Sequence, residues 1–225
     1  MRDVFQPEKI SNQVPMGQIV EAAYCPGGDN RSGVDAVLFR IENRFPLSGG
    51  SPFILRKGEY INPAFSFETG KICGTIPFSE KKVSKFGAAT ELTEGILEFE
   101  EPFVCFKTME LKWMVGDYQL KLFNQYQVRS APGDDFFANP GDSGALVLAK
   151  DLDKKNLCIG IVEGGQKNSQ VTCVSPVQDV LEQFKIRNFK QFENEKNTKD
   201  IVHMSNKIDQ IEATLQRIET KINAS

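Results

Sequence analysis

The sequence predicts an all-β fold that ends in a helical tail, and three observations predict it. Short β-branched and apolar runs recur between residues 34 and 174, separated by glycine, proline and aspartate breaks. After Pro176 the apolar residues change to helical spacing. From Ile201 to Ile222 they fall at alternating intervals of three and four. Short runs with turn punctuation favour strands, whereas a sustained 3.5-residue period favours a coiled-coil helix.

Val34–Ile41 (Val-Asp-Ala-Val-Leu-Phe-Arg-Ile) is β-branched and apolar enough to be a mostly buried strand. Phe53–Leu55, Val104–Phe106, Tyr118–Phe123, Ala145–Leu148, Leu157–Val162 and Val171–Val174 read as further strands. The run Glu91–Glu101 carries five glutamates and reads as a solvated face with a hairpin tip. Val177–Phe184 places Val177, Val180, Leu181 and Phe184 on one face of a short helix. Lys185–Asp200 is charged and reads as a linker or as continued helix.

The last segment reads as a parallel coiled coil over residues 201–222. Ile201, Ile208, Leu215 and Ile222 take position a, and Met204, Ile211 and Ile218 take position d. Lys207 at g faces Glu212 at e of the next chain, an attractive contact. Isoleucine at d packs poorly in a dimer, so a homo-oligomer of three or four chains is expected.

At 225 residues the chain can bury one substantial core or two small ones. A net charge of −3 gives no electrostatic case for nucleic acid or an anionic membrane as partner. No apolar run approaches bilayer-spanning length, and the first seven residues lack the apolar stretch of a secretory signal. The five cysteines form no Cys-x-x-Cys pair, so neither metal nor cofactor is expected, and reduced thiols in a cytoplasmic setting are favoured. Cys158 and Cys173 flank an expected hairpin and could face each other.

The motif with the most chemical content is Gly141-Asp142-Ser143-Gly144, followed by an apolar run. Glycines beside a serine let the chain turn tightly enough to aim the Gly141 and Ser143 amides at one point, an oxyanion hole. The motif resembles the nucleophile turn of chymotrypsin-like (trypsin-like) serine proteases. Three further places carry the resemblance. Val34-Asp35-Ala36-Val37-Leu38 is similar to the strand bearing the triad aspartate. Lys85–Gly95 resembles the hairpin opening the second barrel, with departures at Ala88, Ala89 and Glu91. Gly160-Ile161-Val162-Glu163-Gly164-Gly165 is similar to the strand lining the specificity pocket.

The resemblance implies a double β-barrel with an incomplete first barrel (1–84), a second barrel with nucleophile turn and docking helix (85–187), and a linker with coiled-coil helix (188–225). It implies Ser143 as nucleophile and Asp35 as orienting aspartate. It also implies an oxyanion hole of Gly141 and Ser143, and a substrate cleft at Phe137, Val162, Gly164 and Gly165. Phe137, six residues before Ser143, would make the pocket floor apolar or fill the pocket, while Glu163 points to solvent. Bland readings stand beside these: Ser143 in an ordinary β-turn, Asp35 as a strand cap, Gly164-Gly165 as a turn.

Serine needs a general base. The one histidine, His203, falls at coiled-coil position c, and nothing upstream of Asp35 is histidine. Lys57, Lys81, Lys82 and Lys85 have no spacing that brings one to Ser143. The expectation is therefore a truncated or degenerate serine protease homologue with an incomplete triad, binding a peptide or protein without hydrolysing it. The alternatives are a serine endopeptidase completed by an N-terminal His-bearing extension, and a coiled-coil binding or scaffold protein.

Overall fold

Antiparallel pairing organises the chain in the computed structural model, which describes residues 3–4, 15, 17–41, 81–100, 105–133, 135–165 and 170–187. A three-stranded sheet comes first, in the order β1 (Asp3–Val4), β2 (Gly17–Cys25), β3 (Val34–Ile41). The larger sheet uses β4 (Lys82–Gly87), β5 (Glu91–Leu97), β8 (Thr108–Val115), β9 (Tyr118–Ser130), β10 (Leu146–Lys150), β11 (Asn156–Gly165) and β12 (Val171–Pro176). Between them β6 (Phe99–Glu100) and β7 (Cys105–Phe106) form a two-stranded ribbon.

The strand order of the large sheet is β12-β11-β10-β4-β5-β9-β8, and β12 also pairs with β9. That extra pairing closes six strands into a barrel and leaves β8 outside the ring. Closure removes the open edges that a flat sheet would present. The 13-residue β9 makes it possible, because its first part pairs with β8 and its last part with β5 and β12.

The barrel interior follows from the alternation of side chains along each strand. Val83, Leu97, Val128, Phe137, Val147, Ala149, Ile159, Val162 and Val174 form one buried cluster. Each valine, leucine, isoleucine or phenylalanine among them, fully withdrawn from water, contributes about 1.5–3 kcal/mol before entropy is charged against it. The helix α1 (Val177–Gln183) buries Val177, Val180 and Leu181. Val177 and Leu181 pack with Leu148 and Cys158 in a second cluster.

The end of the β2–β3 hairpin docks on β9. Gly33 N donates to Phe123 O at 2.8 Å, and Phe123 N donates to Pro26 O at 2.8 Å. The Tyr24 hydroxyl accepts from Lys121 N and donates to Lys121 O, each at 3.0 Å. A Cβ on Gly33 would lie 2.9 Å from Leu122 Cα, so only glycine permits this approach. This docking fixes the start of β3, and with it Asp35.

Several sequence readings shift. The large sheet opens at Lys82. The expected strand at Tyr118–Phe123 runs on to Ser130. Glu98 is not a freely solvated glutamate: its side chain is 15% exposed and pairs with Arg129 at 2.5 Å and Lys107 at 3.4 Å. Cys158 and Cys173 do not face each other. Cys173 stands opposite Gly164 in the β11–β12 register, while Cys158 pairs with Leu148 on β10. Both side chains are buried. Phe53–Leu55 and the heptad segment 201–222 lie outside the described residues.

Candidate active site

The turn around Ser143 is built from its aspartate outward. The Asp142 carboxylate accepts hydrogen bonds from Ala89 N at 2.7 Å, Thr90 N at 3.2 Å, Thr90 Oγ1 at 2.7 Å and Asn139 N at 3.0 Å. Lys85 Nζ lies 3.2 Å from Asp142 Oδ2, with both side chains closed to solvent. Lys85 also donates to Thr90 Oγ1 at 2.5 Å. Burial alone would raise the Asp142 pKa. The hydrogen bonds from Asn139, Thr90 and Ala89 and the Lys85 charge outweigh it and hold the carboxyl at about 2. Burial lowers the Lys85 pKa, and the Asp142 charge opposes that.

Glycine conformations complete the turn. Gly141 and Gly144 have φ of 105° and 88°, left-handed values that side chains resist. Gly144 N donates to Val162 O at 2.8 Å, and Val162 N donates to Ala145 O at 2.9 Å. These two bonds tie the turn to β11 and set Ser143 beside Glu163. Asp142 N and Ala145 N are also engaged, whereas neither Gly141 N nor Ser143 N bonds to an acceptor among the described residues. The Ser143 residue itself is exposed.

Two cavities meet at this point. One, of about 630 Å³, is lined by Ser130, Phe136–Gly141, Ser143, Val162–Gly165 and Gln170–Thr172. The other, of about 290 Å³, is lined by Asp35, Leu111, Lys112, Trp113, Ser143, Glu163, Gly164 and Gly165. Ser143, Glu163, Gly164 and Gly165 belong to both. Of the residues the sequence singled out, Phe137, Gly141, Ser143, Val162, Gly164 and Gly165 line the larger cavity, and Asp35, Ser143, Gly164 and Gly165 line the smaller. Phe137 is 1% exposed and packed in the barrel core, held by its N–H to Ser130 Oγ at 2.8 Å and its C=O to Thr93 Oγ1 at 2.7 Å. It forms part of the larger cavity's wall and leaves that cavity open.

Glu163 does not point to solvent. Its Oε1 lies 2.7 Å from Ser175 Oγ. The cause is a bulge. Val162 pairs with Val174, yet Gly164 pairs with Cys173, so Glu163 is an extra residue on β11 and escapes the in–out alternation. Burial, together with the Asp35 charge and against the Ser175 hydrogen bond, raises its pKa to about 7. Burial also raises the Asp35 pKa. Sequence reasoning missed Ser175 and Gln125, both fully buried beneath Glu163.

The candidate bases separate clearly. Lys85 is committed to Asp142, and Lys82 pairs with Glu94 at 2.6 Å. His203 and Lys57 lie outside the described residues. Among the described residues no group of three or more His, Cys, Asp or Glu side chains could hold a metal ion.

Comparison with known proteins finds a likeness to solved structures. No family model matches the sequence, and no curated protein matches it. A solved structure of a glutamic-acid-specific serine protease, described as using a histidine triad in substrate binding, aligns with a TM-score of 0.46. The alignment covers 78% of this chain and 75% of that one at 15% sequence identity.

Proposed function

We propose that this chain is a chymotrypsin-like serine protease homologue whose cleft binds a peptide or protein segment and which, with the residues given, does not hydrolyse it. One observation carries the reading. The Gly141–Gly144 turn is anchored through buried Asp142 and tied to Val162, so that Ser143 stands where the two cavities meet. In this reading Gly141 N and Ser143 N are the oxyanion donors, and Asp35 is the aspartate that would orient a base. The sheet of β1–β3 belongs to the first barrel, the closed ring is the second barrel, and α1 is its docking helix. The larger cavity receives an apolar side chain between Phe136, Phe137 and Val162, while Gly164 and Gly165 leave room for a peptide backbone alongside. The heptads at 201–222 assemble three or four copies.

Hydrolysis requires a base beside Ser143, and the sequence offers no histidine except His203. Losing a triad member removes several orders of magnitude of rate and leaves only the oxyanion hole and binding. The pre-formed turn favours one second reading, an active endopeptidase once a His-bearing segment completes the triad. A fluorophosphonate probe with intact-mass detection separates the two. The chain as given should leave Ser143 unlabelled over hours. Rapid labelling that is lost in Ser143→Ala would show a working base and overturn the first reading.

A further inference from the structure

Glu163 is the titratable group in the cleft that the proposed chemistry leaves unused, and its surroundings allow its protons to be counted. Gln125 Nε2 donates to Gly33 O at 2.9 Å and to Phe123 O at 3.0 Å. Flipping the amide would set its oxygen against those two carbonyls, so Gln125 Oε1 is the atom that faces Ser175, and it can only accept. Ser175 Oγ lies 2.6 Å from Gln125 Oε1 and 2.7 Å from Glu163 Oε1. A hydroxyl has one proton to give. Gln125 Oε1 claims it, because that oxygen can only accept and Ser175 stands 2.6 Å from it, whereas a carboxyl can carry its own proton; the third acceptor, Gly33 O, is 3.5 Å away. The short contact with Glu163 then needs a proton that comes from the Glu163 carboxyl.

We propose that Glu163 is a protonation-controlled clamp: as the neutral acid it donates to Ser175 and keeps the start of β3 seated on the barrel, and as the carboxylate it draws the Ser175 hydroxyl proton away from Gln125, breaks that chain and repels Asp35, so the cleft wall beside Ser143 has an acid form and an alkaline form. The proton runs from Glu163 to Ser175, Ser175 donates to Gln125, and Gln125 donates to Gly33 O, two residues before Asp35. The clamp therefore acts on the strand that carries Asp35, whatever chemistry Ser143 performs.

The groups around Glu163 fix the direction of the response. From β3 comes Asp35, from β12 Ser175 and Cys173, from β9 Gln125, from the turn Ser143, and across the smaller cavity from β8 Lys112. Lys112 is engaged by Glu110 at 2.7 Å. Burial and the Glu163 charge push the Cys173 thiol up to about 12, so it stays neutral where Glu163 titrates. Ionising Glu163 thus places a second negative charge beside Asp35. Its raised pKa of about 7 sets the transition near neutrality.

Trp113, the single tryptophan, lines the smaller cavity and meets Tyr24 of β2 edge-on at 6.4 Å, so its fluorescence reports on this wall. The test is a fluorescence titration of the full chain between about pH 5 and 9, a range that leaves ordinary carboxyls ionised and lysines charged. The wild type should show one transition centred near 7. Glu163→Gln should hold the acid-form signal throughout, since its amide donates to Ser175 as the acid does. Asp35→Asn should move the midpoint down, as loss of a like charge requires. A transition that persists unchanged in Glu163→Gln, or a flat wild-type signal, would overturn the proposal. Carboxyl-carbon NMR of Glu163 in the wild type decides independently of any variant's folding: a midpoint near the ordinary 4.5 overturns the clamp.

Discussion

Lys85 Nζ stands 3.2 Å from the Asp142 carboxylate in a place neither side chain shares with water, and this pair underlies the turn that presents Ser143. Two buried charges are tolerated when geometry and further hydrogen bonds compensate their lost hydration. Here three backbone amides and the Thr90 hydroxyl supply them. Removing one partner strands the other. Asp142→Ala is expected to cost about 3–5 kcal/mol in urea denaturation, the range for breaking a buried pair. A loss below about 1 kcal/mol, the median for exposed pairs, would mean that the pair is not desolvated in solution.

Gly87 gives a sharper test of the same turn. A Cβ there would lie 2.2 Å from Asp142 Oδ1 and 2.6 Å from its Cγ. Gly87→Ala must displace the carboxylate from its amides, at about 1–3 kcal/mol, the usual cost of overpacking. Gly164→Ala, where an added Cβ meets nothing within 4 Å, is the control. It should change stability by less than about 0.5 kcal/mol. Equal effects of the two substitutions would contradict the packing described at Gly87.

The two perturbed carboxyls act on stability in opposite directions. Asp142, held at about 2 against an ordinary 3.8, contributes fully above 3.8 and loses its contribution as pH falls towards 2. Glu163, raised to about 7 from 4.5, contributes fully below 4.5 and loses its contribution as pH rises through 7. Melting temperature should therefore fall between pH 4.5 and 7, and the fall should be smaller in Glu163→Gln. A wild-type melting temperature that climbs across this interval, with no difference from the variant, would refute the raised pKa.

Much of this was legible in the sequence, and the parts that were not have physical reasons. The Val34–Ile41 strand, the Val177 helix face and the Gly160–Gly165 stretch announce themselves by local pattern, and each appears in the structure. Val34–Ile41 was expected to be mostly buried, yet only Val34 is, because an apolar run signals a strand without signalling what covers it. Asp35, Phe137 and Ser143 were singled out by motif order. Glu163 was misread because a bulge breaks strand alternation, and only pairing reveals a bulge. The Lys85–Asp142 pair was missed although a signal existed: Val83, Lys85 and Gly87 share the buried face of β4 at a period of two. A lysine on an apolar face asks for a buried anion. Barrel closure through β9 and β12 depends on register between segments more than 40 residues apart, which no local pattern encodes.

The heptad segment makes a claim separate from the cleft. We propose that residues 201–222 hold the protein as a trimer or tetramer. Light scattering at micromolar concentration should give that mass for the full chain and a monomer for a chain ending at Asp200. An oligomer that survives the deletion, or a monomer in both, would contradict this assignment.

The central claim is that the barrel presents a peptide cleft at Ser143, and amide chemical-shift mapping with short peptides tests it most directly. Three blocked peptides that differ only in one central residue, phenylalanine, arginine or glutamate, are titrated into the 15N-labelled Ser143→Ala chain. The phenylalanine peptide should bind most tightly, with the largest shifts at Phe137, Gly141, Val162, Gly164 and Gly165. Tighter binding of the arginine or glutamate peptide would contradict an apolar pocket walled by Phe137, and shifts confined to residues away from both cavities would contradict the cleft itself.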